Sequence, residues 1–277
     1  MHSVQTPGGR LERGTTEPVD ASTVLLVRDG DGGLEVFLLQ RHLDSDFAGG
    51  AYAFPGGKVD PADRELDPAR WDGLEPSLVR DRVGARTDAD ALGLWVAAVR
   101  ETFEEAGVLL ARRDGAAVTA KDLASDSFQH ARQRLATRAE HWDWGPWLHD
   151  EDLVLDLSAL VPLSWWVTPH GMHKRFDTRF FLAEVPGGQL AAHDRIETTD
   201  SLWAPPSDVL RSAEEGRAVV IFPTRKNLEA LDGHPSAGEA LAAARRARSM
   251  RKVLPAIQVV DGAITVRHPD GGAPEGI

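Results

Sequence analysis

The chain contains no cysteine, which excludes disulfides, a thiol nucleophile and any cysteine metal site. No apolar run approaches the roughly 20 residues that a membrane helix needs, so no membrane partner is expected. Positive charge is scarce: 31 Lys and Arg face 43 Asp and Glu, for a net charge of −12. That balance disfavours a broad surface for a phosphate backbone, so no nucleic acid polymer is expected as a partner. A small phosphorylated substrate stays open, because bound divalent cations invert the field around an acidic site. Residues 1–18 are polar and lack the apolar centre of a signal peptide, and residues 274–277 spell no peroxisomal address. The expected location is cytoplasmic.

What is present is ordinary for a globular chain: 42% hydrophobic and 27% charged residues. Strand-like apolar runs at 22–27 and 34–40 flank the turn signal Asp29-Gly30-Asp31-Gly32-Gly33. Further strands are expected at 153–167 and 175–185, with a hairpin at 253–260 and 263–266. Helices are expected at 91–112 and 127–140, and after Pro206, Pro223 and Ser236. The reading is an α/β fold, an α/β/α sandwich around a mixed sheet. One domain spans 18–268, with inserts at 64–90 and 113–150, a flexible N-terminal tail at 1–17 and a C-terminal tail at 269–277. The first insert, rich in Asp, Arg and Pro, reads as a loop with a short helix. Trp142, Trp144 and Trp147 in the second insert read as a packing cluster, the alternative being a base-stacking platform.

The chemistry concentrates at Arg100-Glu101-Thr102-Phe103-Glu104-Glu105-Ala106-Gly107. On a helix, Glu101, Glu104 and Glu105 stand i, i+3, i+4 and share one face. Leu92, Val96, Val99, Phe103, Ala106 and Leu110 form an apolar stripe roughly opposite. Three carboxylates this close repel. Either the face is simply solvated, or it holds a cation, and oxygen-only ligands suit Mg²⁺ or Mn²⁺. Upstream, Phe54-Pro55-Gly56-Gly57-Lys58 ends an apolar run in a loop, where adjacent glycines open unusual backbone angles and close approach to a ligand.

A glycine turn followed by Arg-Glu-x-x-Glu-Glu-x-Gly resembles the Nudix box of the Nudix hydrolases. Gly57 takes its first position and Arg100 to Gly107 its distal half, with Thr102 where an aliphatic residue is usual. Asp63 stands in place of the first glutamate. Residues 64–99, 36 in number, separate it from Arg100, where the family pattern has seven. With Trp166-Val167-Thr168-Pro169, the strand from Arg175, and Glu197 six residues before Trp203, this interrupted box resembles the subgroup containing the animal peroxisomal coenzyme A diphosphatases.

The resemblance implies metal-dependent hydrolysis of a nucleoside diphosphate linked to another moiety, with Mg²⁺ or Mn²⁺ as cofactor. Coenzyme A or acyl-coenzyme A is the favoured substrate; ADP-ribose, NADH or an oxidised nucleotide is the alternative. A nucleotide-sensing module without catalysis would lack box glutamates, and all three are here. Glu101, Glu104, Glu105 and the Gly56 carbonyl would be metal ligands. Arg100 would orient Glu101. Glu101 and Glu197 are both candidates for the general base. Arg41, Gly57 and Arg175 would meet substrate, although Arg175, Asp177 and Arg179 also read as a self-paired run. Asp63 is expected to be structural, and His170 and His173 to be plain loop residues. Members of the family often form homodimers, and the resemblance leaves that assembly open.

Overall fold

The computed structural model describes residues 4–6, 9–11, 16–43, 49–137, 142–194, 198–260, 263–271 and 275–276. Its centre is an eight-stranded mixed sheet. The strands are β1 (Val19–Gly30), β2 (Gly33–Arg41), β3 (Tyr52–Ala53), β4 (Gly56–Lys58), β5 (Val161–Val167), β6 (Phe176–Glu184), β7 (Thr198–Ala204) and β8 (Lys252–Val253). Their order is β7-β2-β1-β6-β5-β8, with β3 added to β2 and β4 to β1. β1 runs parallel to β6 and antiparallel to β2 and β4.

Both faces of this sheet are covered, so its strands read as continuous apolar runs. Side chains alternate between two cores. Val24 and Leu26 of β1, Phe37 and Leu39 of β2, and Phe181 and Ala183 of β6 enter one core. Their neighbours Leu25, Val27, Val36, Leu38, Phe180 and Leu182 enter the other. The first core is closed by α1 (Pro76–Val83), α2 (Asp88–Ala106), α3 (Asp126–Ala136) and α4 (Gly145–Asp150). The second is closed by α5 (Pro206–Glu214), α6 (Phe222–Leu231) and α7 (Ala237–Arg246). The sandwich expected from the sequence is therefore present. No helix among the described residues is long and apolar enough to cross a membrane.

Helix α2 differs from its expected bounds of 91–112. It starts at Thr87, whose side chain accepts from Asp90 N–H. It stops at Gly107, which adopts φ 68°, a left-handed cap that glycine takes without a Cβ clash. Leu110 therefore lies beyond the helix, and Ala111–Arg113 is a strand. Residues 91–106 are all buried, so α2 has no solvated face beyond its first turn.

The inserts are more ordered than a loop. The first carries short 3-10 turns at Pro61–Arg64 and Pro68–Arg70, the strand Trp71–Asp72 and α1. The second carries α3, which ends at Ala136; residues 138–141 of the expected helix lie outside the described residues. The expected strand 153–167 is two strands in two sheets. Leu153–Asp156 pairs with Trp71–Asp72 and Ala111–Arg113, a 3-10 turn follows at Leu157–Ala159, and only then does β5 begin. Trp147 stacks on Phe103 of α2 at 5.8 Å and meets Phe128 edge-on, while Trp144 is buried. The tryptophans thus fasten the second insert to the box helix. Ala256–Val260 and Ala263–Arg267 form the expected hairpin, but Lys252–Val253 joins the main sheet beside β5.

Candidate active site

β1 and β2 pair only through Val27–Gly30 and Gly33–Val36, then part. Into the gap goes β4, with Gly56 opposite Thr23 and Gly57 opposite Ser22. The glycines are there for space, not for unusual angles: neither has positive φ. A Cβ on Gly56 would sit 2.5 Å from the Ser22 carbonyl oxygen, and one on Gly57 would sit 2.4 Å from Glu101 Cδ.

The ladder also aims the Gly56 peptide. Val24 N–H donates to the Pro55 carbonyl at 2.8 Å, and Val59 N–H to the Asp20 carbonyl at 3.0 Å. Antiparallel alternation makes Gly56 a non-bonded position between such pairs, so its N–H and carbonyl both turn away from β1. The N–H donates to Glu105 Oε2 at 2.9 Å. The Gly56 carbonyl turns to the same side.

Arg100 ties the parts together. It donates from Nε to Asp63 Oδ1 at 3.0 Å and from Nη2 to Asp63 Oδ2 at 2.9 Å. Nη2 also reaches the Lys58 carbonyl at 2.8 Å, and Nη1 reaches Glu101 Oε1 at 2.8 Å. Glu104 Oε2 lies 3.8 Å from Nη1. Asp63, 1% exposed, accepts from Asp60 N–H and so closes the turn at Pro61–Arg64. One guanidinium thus joins the glycine turn, the stub of the first insert and the box helix.

Glu101, Glu104 and Glu105 are 9%, 7% and 4% exposed. A solvated acidic face is therefore not what α2 presents. Burial pushes the Glu101 carboxyl up, with Arg100 pulling the other way. Burial likewise raises Asp63 against the pull of Arg100. Burial works against the charge on Arg100, but Glu101 and Asp63 outweigh it and hold the guanidinium firmly protonated.

Among the described residues, no three carboxylate or imidazole groups converge on one point. The carboxylates are drawn apart, Glu101 onto Arg100 and Glu105 onto the Gly56 N–H. The donor set nevertheless fits a hard divalent cation: three glutamates and a peptide carbonyl, all oxygen. Several buried carboxylates around one guanidinium leave excess negative charge, which a divalent ion offsets.

The other expected residues fall as follows. Arg41 ends β2 in the same alternation as Phe37 and Leu39, hence on the α2 side. Its Nε is buried without a hydrogen-bond partner. Arg175 is brought elsewhere: it is buried and donates to the carbonyls of Thr168 at 3.0 Å and Thr16 at 2.7 Å, so these donors hold backbone instead of substrate. Asp177 pairs with Arg179 at 2.5 Å, the internal pairing that the sequence pattern suggested. His170 and His173 lie in the turn between β5 and β6. Glu197 lies outside the described residues.

Two contacts had no sequence signal. Arg132 of α3 donates to the carbonyls of Glu104 and Glu105. Buried Gln189 accepts from Leu109 N–H and donates to the Leu109 and Val118 carbonyls, sealing the chain just after α2.

The double-glycine wedge, the arginine clasp and the buried glutamates lie in the segments that resemble the Nudix box, and the family model of the NUDT19 Nudix domain matches residues 20–228. The chain belongs to the Nudix hydrolase family, whose members generally require a divalent metal ion. It is 31% identical over 218 residues to the acyl-coenzyme A diphosphatase NUDT19 of Homo sapiens, a match covering 65% of this chain and 56% of that one. With the Gallus gallus protein of the same name it shares 28% identity over 214 residues, covering 64% and 55%. The chain thus spans little more than half the length of these relatives. A crystal structure of a Nudix hydrolase from Alicyclobacillus acidocaldarius superposes with a TM-score of 0.67 at 30% identity, covering 83% of this chain and 97% of that one.

Proposed function

We propose that this chain is a metal-dependent Nudix diphosphatase that hydrolyses coenzyme A or acyl-coenzyme A to 3′,5′-ADP and the corresponding phosphopantetheine. The observation that carries the chemistry is the burial of Glu101, Glu104 and Glu105 against Arg100 and the Gly56 peptide. The similarity to the acyl-coenzyme A diphosphatases supports the substrate class.

Glu101, Glu104, Glu105 and the Gly56 carbonyl would hold Mg²⁺ or Mn²⁺. When bound, the ion neutralises phosphate oxygens and lowers the pKa of a bound water. The chain supplies the rest. Arg100 fixes the Glu101 carboxylate, and the Gly56 N–H fixes that of Glu105. Arg41 brings an unpartnered buried Nε to the α2 side of the sheet, suited to a phosphate oxygen. Water adds at phosphorus, the P–O–P bond breaks, and the leaving phosphate carries off the electron pair. The proton from water goes to Glu101 or to Glu197. The proposed location is the cytoplasm, and the family resemblance leaves a homodimer open.

The test is a substrate panel with Mg²⁺ and with Mn²⁺, products resolved by mass: coenzyme A, an acyl-coenzyme A, ADP-ribose, NADH and 8-oxo-dGTP. The expected result is 3′,5′-ADP from the first two at the highest kcat/KM. Preferential cleavage of any other member would overturn the substrate class and keep the chemistry. No cleavage by a metal-loaded protein would overturn both.

A further inference from the structure

A helix ends with four carbonyls that have no partner within it. In α2 the cap residue meets the first of them at the regular four-residue spacing, and the other three are met from outside the helix. Gly107 N–H donates to the Phe103 carbonyl at 3.0 Å, and Ala192 N–H to that of Ala106 at 2.9 Å. The middle two belong to the glutamates. Arg132 donates from Nε to the Glu104 carbonyl at 2.9 Å and from Nη2 to the Glu105 carbonyl at 3.0 Å. Nη2 also reaches the Ala192 carbonyl at 2.7 Å. A Cβ at position 107 would lie 2.7 Å from Arg132 Nη1, so the glycine cap also makes room for the guanidinium.

This arginine comes from the second insert, not from the box. It is desolvated where it sits: burial works against its charge, and Asp194 and Glu104 support it. A cation at a helix C-terminus opposes the negative end of the macrodipole, the end at which Glu104 and Glu105 crowd their own charge. The same side chain holds Ala192, two residues before Asp194. Asp194 in turn accepts from the N–H and hydroxyl of Thr198, where β7 begins.

We propose that Arg132 is a positioning residue for the metal carboxylates, a clasp through which the second insert sets the backbone of Glu104 and Glu105 and ties it to the segment entering β7. The role rests on the metal reading of the box. Because the hydrogen bonds of Arg132 there go to backbone carbonyls, its effect falls on how well Glu104 and Glu105 are presented, and it appears before any substrate binds.

The experiment measures Mn²⁺ binding to the substrate-free protein by electron paramagnetic resonance. Arg132→Ala, Arg132→Lys and Leu241→Ala are compared with wild type, and thermal melts run in parallel. Leu241 is a core residue of α7 on the opposite face of the sheet. Arg132→Ala is expected to raise the Mn²⁺ dissociation constant about tenfold or more, the cost of leaving charge-assisted bonds unmade. Arg132→Lys, which keeps the charge on a single donor nitrogen, recovers part of it. Leu241→Ala lowers the melting temperature without moving the constant. Wild-type affinity in Arg132→Ala overturns the proposal, as does an equal loss in Leu241→Ala. Should Arg132→Ala fail to fold, Arg132→Gln is judged by the same criterion. Absence of Mn²⁺ binding by wild type is a distinct result, and it removes the metal reading together with this role.

Discussion

Arg100 grips Asp63 with a two-bond fork, Nε to Oδ1 at 3.0 Å and Nη2 to Oδ2 at 2.9 Å, across the whole length of the first insert. Both side chains are buried. Removing Asp63 takes two bonds from Arg100 but leaves it Glu101 and the Lys58 carbonyl, so the cost falls at the lower end of the about 3–5 kcal/mol of a broken buried pair. Asp63→Ala should lose that much in urea unfolding of the metal-free protein, and Asp63→Asn less. A loss below about 1 kcal/mol would mean that the fork adds only what an exposed pair adds.

Gly57→Ala places a methyl carbon 2.4 Å from Glu101 Cδ, and Glu101 is held by Arg100. The carboxylate has to move. Turnover of the preferred substrate should fall about a hundredfold, as for small misplacements of reacting groups, with the melting temperature lowered by a few degrees. Unchanged turnover would show that the position of Glu101 is not used in the reaction.

Glu105→Gln keeps an oxygen to accept the Gly56 N–H, so the glycine turn should hold. What goes is a metal-binding charge. Turnover should drop about a hundredfold or more while the circular dichroism spectrum stays that of wild type. Near wild-type turnover would remove Glu105 from the metal site.

Asp90 accepts from the Thr87 hydroxyl at 2.9 Å and from Arg64 Nε at 3.0 Å at the start of α2. Burial raises its pKa, but these bonds outweigh it and leave the carboxyl below its ordinary range. A depressed folded pKa contributes stability above the unfolded value, and that contribution is lost as pH falls through the folded one. Asp90→Asn should therefore be about 1 kcal/mol less stable than wild type at pH 7. The gap should close below about pH 4. A gap that is constant from pH 7 to pH 3 would show that the charge is not what stabilises the cap.

The placement of Glu101, Glu104 and Glu105 on one helix was legible, because helical spacing and a family pattern pointed to the same residues. The two-core sheet was legible too: runs such as Val24 to Val27 are apolar throughout, as a strand covered on both faces must be. The break within 153–167 was not. Leu157-Ser158-Ala159 carries no glycine or proline, so nothing in the local sequence announces that the chain changes sheets there. The end of α2 was written in Gly107, but the apolar residues after it imitate a continuing helix. The backbone bonds of Arg175 were not legible, because a guanidinium that holds carbonyls reads, in sequence, like one that holds phosphate. Arg132 acts on backbone 27 and 28 residues away, and backbone contacts leave no trace in residue identity.

The fork between Arg100 and Asp63 also bears on how this enzyme can change over generations. Of the 36 residues between them, 88–99 already belong to α2, and the insert proper leaves the domain beside this buried clasp. Lengthening such a segment from seven residues to 36 adds only about 1.5 kcal/mol of closure entropy. A clasp of this kind absorbs that amount, and the glycine turn stays fixed to Glu101 whatever hangs between. The first insert is thus a region where length and composition can drift, as a route to new substrate contacts, without disturbing the box that it interrupts.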